Sequence, residues 1–396
     1  MSTVSSSPSP NPPPSSDQLA EIAGRIASTV AGPAAADVDK HSRFPNETFD
    51  ALRAERMLSV LIPREQGGAG ARITDVALAV EALGEHCASS AMIYAMHQIQ
   101  VASIVRHGHT DWLREYTEQV AASELLLASA TTEEGIGGDV RSSICAVEHD
   151  GDKFHLFKKA PVISYGLYSD AILATARRTV DSPPNDQSMV LVPRLEGTLE
   201  RKSEWDALGF RGTCSDGFWL NADGVVAQVF ADSYGDISAQ TMLPTSHITW
   251  ASVWLGISTG AVDKARQVVR KDARKAVGST PPAAVRLADL VATLEQFRSL
   301  VHGAAADYEA ICDDPEALSA MGFAIRMNSL KVSASNLVVD IVGRAMSICG
   351  IAGYLQRTPV SLGRSLRDAY GAALMVNNDR LLDASAQMLL VHKGDR

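Results

Sequence analysis

Ser129-Ala-Thr-Thr-Glu-Glu-Gly-Ile-Gly-Gly-Asp-Val140 is the stretch on which the reading of this 396-residue chain turns. Gly135, Gly137 and Gly138 follow directly on the strand-like run Leu125–Ala130. Glycines so placed let backbone amides approach an anion or a flat ring closely, and the hydroxyls of Thr131 and Thr132 add donors. No dinucleotide-length βαβ unit follows, and no Gly-Lys-Ser/Thr is present, so the loop is neither a Rossmann fingerprint nor a Walker loop. Taken alone, it reads equally well as an ordinary turn.

Outward from the loop the texture changes twice. Upstream, residues 17–127 repeat apolar positions at helical spacing: DQLAEIAGRIASTVAG, then FPNETFDALRAERML with Asn46 as a cap candidate, then one or two long helices broken near Cys87–Ser90. Residues 128–237 carry short alternating or β-rich runs (ICAVEHDGDKFHLFKKA, DAILATARR, SMVLVPR, GFWLNADGVVA), punctuated by the turn compositions HDGD, SPPND and NADG. Short turns between strands favour a small antiparallel barrel or sandwich over a doubly wound sheet. Residues 238–396 are helical again over Trp250–Ala276, Pro282–Ile311, Ala317–Ile348 and Leu366–Val391, the signature of a four-helix bundle. Residues 1–16 are Ser/Pro-rich and read as a disordered tail. The expected fold is α+β: a helical N-terminal domain, a middle antiparallel β-barrel or sandwich, and a C-terminal four-helix bundle.

Composition narrows the function classes. Asp plus Glu number 46 against 36 Lys plus Arg, giving a net charge of -10, which argues against a nucleic-acid partner held by bulk charge. The five cysteines are spread without zinc-knuckle or redox-dithiol spacing, so isolated thiols in a reducing cytoplasm and no metal site are expected. No apolar run reaches the ~18 residues of a membrane span, and the N-terminus lacks the basic and apolar regions of a targeting signal.

Four further stretches carry chemistry. Lys158–Gly166 reads as a strand ending at Ser164, whose hydroxyl can donate to a ring nitrogen. Trp205–Thr213 contains Leu-Gly-Phe-Arg. Asp272–Gly278 follows a long helix, and its Arg274 suits a bidentate phosphate contact, although basic clusters at helix ends are commonly only solvated. Cys349-Gly-Ile-Ala-Gly-Tyr354, with Leu366–Tyr370 beyond it, places Gly350 and Gly353 where a backbone can approach closely.

Together, in this order, the elements resemble the acyl-CoA dehydrogenase family of flavoproteins from about residue 17 to the C-terminus. The pattern Thr-Glu-Pro-x-x-Gly-Ser-Asp is met by Thr132–Asp139, Leu-Gly-x-Arg by Leu208–Arg211, Arg-x-x-Phe-Gly by Arg274–Gly278, and Gly-x-x-Gly-Tyr, Pro and Arg-Asp-Ala by Gly350, Gly353, Tyr354, Pro359 and Arg367–Ala369. The resemblance implies a flavin, FAD or else FMN. Thr131, Thr132 and Gly137 would hold it from the β domain, and Ser164 would stand near its N5. Arg274 would reach its pyrophosphate, and Gly350 and Gly353 its adenine half, across a homodimer or homotetramer.

The departures concern the proton. The family's catalytic Glu after Arg-Asp-Ala falls on Val376, and the alternative site on the first bundle helix falls on Thr245-Ser246-His247. Valine accepts no proton, and general-base catalysis contributes ~10²–10⁴-fold. The family's flavin-stacking Trp is Val162, and its Phe after Arg-x-x is Val277. Candidate replacements are Asp379, about one turn beyond the missing Glu, which also reads as a helix cap; His97, which also reads as a core histidine; and His247. Glu133 and Glu134 belong to the loop pattern and read as structural. Related flavin monooxygenases of this fold use a His and a Ser, which His97 and Ser164 match loosely. Three readings follow: an α,β-desaturase of an acyl thioester on CoA or a carrier protein, passing electrons to a protein acceptor or oxygen; a flavin monooxygenase of a small molecule; and a non-enzymatic descendant of either.

Overall fold

Apolar residues three and four apart, Leu19, Ala23 and Ile26, drive the first helix. In the computed structural model, which describes residues 12–275 and 280–394, it spans Ser16–Ile26 and runs through a π-helical turn, Ala27–Ala31, into Gly32–His41. The Gln18 side chain accepts the backbone N–H of Ser15 at 3.0 Å, so ordered structure begins before the end of the assigned tail. Residues 1–11 of that tail, and Ala276, Val277 and Gly278, lie outside the described residues. Asn46 is the first residue of helix Asn46–Ala54 rather than its cap, a position taken by Pro45. Helices Ile73–Gly84, Ala88–His107 and Asp111–Ser123 complete the N-terminal domain, with the expected break falling at Glu85–Cys87.

The middle region holds seven strands: β1 (Leu127–Ala130), β2 (Glu148–Asp150), β3 (Lys153–Ala160), β4 (Ala171–Arg177), β5 (Gln187–Pro193), β6 (Gly197–Ser203) and β7 (Gly217–Val225). They form two sheets, β1-β4-β5 and β2-β3-β7-β6, not closed into a barrel. The architecture is a sandwich, and it is antiparallel except where β1 runs parallel to β4. One local expectation fails, and one strand has no signal in the sequence. NADG, residues 221–224, is not a turn but the end of β7, paired with both β3 and β6. The largely exposed β6, GTLERKS, shows no apolar alternation because it is an edge strand.

The bundle helices are Leu243–Ala273, Pro282–Ile311 and Met321–Cys349. The last of these is long and apolar enough by composition to cross a membrane, against expectation, but it buries Met327, Leu330, Ala334, Val338 and Ile341 inside the bundle. The expected fourth helix is two, Gly363–Gly371 and Asn378–Leu389. Val376 breaks it with a left-handed φ of 48°, and Asn377 caps the restart by accepting the Asp379 N–H at 2.7 Å.

Two family-like motifs meet where the three regions join. The Asp368 carboxylate accepts the Phe210 N–H at 2.7 Å, and Arg367 pairs with Asp39 through both guanidinium nitrogens. Arg211 donates to the Asp39 carbonyl at 2.9 Å. Gly209 is obligatory here, since a Cβ would lie 2.3 Å from the Arg367 carbonyl oxygen. Burial is the strongest influence on Asp368 and pushes its carboxyl up to about 6 from 3.8, against the opposing Phe210 bond. Between those values the folded chain keeps a proton that the unfolded chain has released. The group's contribution to stability is therefore complete below 3.8 and lost as pH rises through 6. Asp368→Asn keeps an acceptor for Phe210 and has no charge to bury. Denaturant titration is expected to show the variant gaining ~3 kcal/mol on the wild type between about pH 4 and about pH 7.

Candidate active site

The Gly-rich loop leaves β1 at Ala130 and turns on left-handed glycines, Gly135 (φ 91°), Gly137 (59°) and Gly138 (80°). A Cβ on Gly137 would meet nothing within 4 Å, so that side of the loop is open. The loop is anchored from below by Glu133. Its buried carboxylate accepts the N–H groups of Ile144 (3.1 Å) and Cys145 (2.7 Å) and pairs with the fully buried Lys158 ammonium at 3.2 Å. Burial works to raise the Glu133 carboxyl, but Lys158 and these N–H groups hold it below the ordinary carboxylate range. Glu134 is exposed. Two open grooves of about 350 and 400 Å³ flank residues 133–144.

Thr132 donates to the Val162 carbonyl at 3.2 Å, which sets the loop beside the turn bearing Ser164. Ser164 lies in that turn, past the end of β3, not at a strand end. Its hydroxyl is 2.8 Å from Ser215, itself 2.8 Å from Thr213, so three hydroxyls form a chain that starts in this turn. The spacing of open glycines and half-buried hydroxyls suits a flat, hydrogen-bonding ring such as a flavin.

The other expected residues are distributed unevenly. Asp379 is exposed in the first turn of the last helix and makes no ion pair among the described residues. Its neighbour Arg380 donates to the Gly137 carbonyl, and its guanidinium lies 3.4 Å from where a Cβ on Gly138 would stand. The last helix is thereby docked on the loop. Arg274 is exposed at the end of the first bundle helix and makes no ion pair itself among the described residues. Gly350 ends the third bundle helix at φ 62°, ψ -147°, a glycine conformation, and Gly353 is buried against Cys349.

The two histidines are core residues. His97 is fully buried, with Nε2 2.8 Å from the Leu58 carbonyl and Nδ1 accepting the Leu127 N–H at 3.0 Å. Both nitrogens are committed to backbone, and burial pushes the ring down to about 4. His97 is thus not brought to Ser164; it pins the start of β1 to the helical domain. His247 is buried with Nδ1 3.0 Å from the Met327 carbonyl and is likewise pushed down to about 4 by burial. His107, His109 and Asp232 converge at a surface, but His107 already uses Nδ1 on Asp232 (2.6 Å) and Nε2 on Thr241 (2.8 Å).

Sequence reasoning missed Lys158, Ser215, Arg380 and Lys331. Lys158 was signalled by a cation at a position where strand alternation points inward. Arg380 adjoins Asp379 in the chain, but its bond to the loop, like the placement of Ser215 and Lys331, comes only from tertiary packing.

Two family profiles match the chain: "Acyl-CoA dehydrogenase, N-terminal domain" over residues 13–124 and "Acyl-CoA dehydrogenase, C-terminal domain" over residues 235–375. A cyclohex-1-ene-1-carbonyl-CoA dehydrogenase of Syntrophus aciditrophicus is 26% identical over 356 residues, covering 89% of this chain and 84% of that protein. Among solved structures, FMN-bound TdsC of Paenibacillus sp. A11-2 is similar with a TM-score of 0.83, at 17% identity over 96% of this chain and 98% of that one. Butyryl-CoA dehydrogenase of Megasphaera elsdenii gives 0.81, at 19% identity over 95% and 98%.

Breaking the buried pair under the loop should be costly, because an unpaired buried charge remains. Lys158→Met is expected to lose about 3–5 kcal/mol of stability in denaturant titration. Adding Glu133→Gln in the same chain should restore much of that loss.

Proposed function

We propose, from the premise that this chain belongs to the acyl-CoA dehydrogenase family, that it is a flavin-dependent oxidoreductase that desaturates an acyl thioester between its α and β carbons. The thioester is carried on coenzyme A or a carrier protein. The observation that carries the reading is the docking of the last helix on the Gly-rich loop through Arg380 and Gly137. In the helix docked there, the exposed Asp379 immediately precedes Arg380, and position 376 is valine.

The bound flavin, FAD in this reading with FMN as the alternative, supplies the acceptor for the β-hydride. Thr131, Thr132, Gly137 and the Ser164 hydroxyl hold it from the β domain. Arg274, Gly350 and Gly353 hold the distal half of a neighbouring subunit's cofactor, in a homodimer or homotetramer. Support for self-association comes from the apolar residues left exposed in and around the last helix, Leu374, Leu382, Leu389, Leu390 and Val391. Asp379 takes the α-proton, in place of the Glu that Val376 replaces. Electrons leave to a carrier protein or to oxygen.

A second reading, a flavin monooxygenase, is favoured by the valine at 376 and by the likeness to TdsC, a dibenzothiophene monooxygenase. In that reading His97 has no free nitrogen for the chemistry, and Ser164 acts without it.

Anaerobic mixing of the holoprotein with a panel of acyl thioesters is expected to bleach the flavin. Asp379→Asn should slow the bleaching by about 10²-fold or more. No bleaching with any thioester, together with substrate-dependent oxygen consumption when reduced flavin is supplied, would turn the assignment to the second reading.

A further inference from the structure

Lys331 lies in the third bundle helix with none of its surface exposed. Its ammonium donates to the Val376 carbonyl at 2.7 Å and to Asn378 Oδ1 at 2.8 Å. The Asn378 amide in turn donates to Ser335 at 3.0 Å. Both acceptors of the ammonium are neutral. The first bundle helix faces it with the neutral His247 and with Trp254, whose ring centroid is 5.9 Å from Nζ. The last helix faces it with Asn378 and its own helix with Ser335, and none of these elements pairs a carboxylate with it among the described residues. Burial alone pushes the amine down to about 8.

A buried cation without a counter-charge is a poor way to stabilise a bundle, since an apolar residue of the same length would pack there at lower cost. The two bonds it makes fall on the break in the last helix. Val376 is β-branched and left-handed, a conformation that persists only where the surroundings over-determine it. Lys331 supplies that determination by drawing the Val376 carbonyl inward and fixing the first residue of the last helix.

We propose that Lys331 is a positioning residue for the reaction: its ammonium holds the turn over residues 372–377 and the start of the last helix, and so sets where Asp379 and Arg380 stand over the Gly-rich loop. This rests on the reading of Asp379 above. Lys331 touches no reacting atom. Its effect reaches the site through the backbone of Val376 and the side chain of Asn378, and it weakens when the amine loses its charge.

The test uses the flavin-loaded protein with Lys331→Met and Asn378→Asp. Two quantities are read: hydrogen-exchange protection of amides 372–380, and the rate of thioester-driven flavin reduction against pH. Lys331→Met is expected to lose protection at 372–380 roughly tenfold beyond the rest of the bundle, and to slow reduction by a similar factor. Wild-type reduction should decline as pH rises through about 8. That limb should be missing in Lys331→Met and moved upward in Asn378→Asp, where a carboxylate beside the ammonium favours its charged form. Wild-type protection and rates in Lys331→Met, or an unmoved alkaline limb in Asn378→Asp, overturn the proposal. If Lys331→Met does not fold, the Asn378→Asp shift decides. If no thioester reduces the wild-type flavin, the desaturase reading fails, and the exchange at 372–380 still decides the role of Lys331.

Discussion

Asp368 and Arg367, side by side on one short helix, tie the three regions of the chain together. The carboxylate holds the Phe210 N–H of the β domain, and the guanidinium holds Asp39 of the N-terminal helices. The arrangement needs backbone against backbone at Gly209, which is why no side chain fits there. A carboxylate buried in this way is electrostatically expensive, and the same burial pushes its pKa up. What it secures is register between domains: with the β domain seated, Gly212 donates to Ser89 on helix Ala88–His107, and Ser164, Ser215 and Thr213 line up beside the Gly-rich loop.

Two buried lysines show how the same burial serves different ends. Lys158 meets Glu133, and the pair with its backbone N–H partners forms a satisfied anchor beneath the loop. Lys331 meets only a carbonyl and an amide oxygen beneath the broken helix. The first is a closed electrostatic unit that fixes a loop. The second is a cation whose strength depends on keeping its proton, placed under the segment that the left-handed Val376 breaks.

Much of the architecture was legible in the chain. The three zones and the hairpin over HDGD follow from period and turn chemistry, while the helix break comes at Glu85–Cys87, ahead of most of the expected Cys87–Ser90. The motifs Leu208–Arg211 and Arg367–Ala369 were visible as well, but as motifs only. That they bond to one another depends on two segments more than 150 positions apart, and no local signal encodes such a pairing. His97 illustrates the opposite limit. A histidine within an apolar helix has the same local sequence whether its nitrogens face a substrate or two backbone groups, and only packing against Leu58 and Leu127 settles it.

The order of domains, the loop with its glycines and hydroxyls, and the valine at 376 can all be read from the chain before it folds. These are properties of residue type and local spacing. Tertiary structure alone decided that the fourth bundle helix is broken at Val376, that Arg380 rests on the loop, and that Lys331 underlies the break. A left-handed valine is disfavoured by its own sterics, so nothing local calls for it. It exists because a charge from another helix, brought there by the folding of the whole bundle, holds its carbonyl in place.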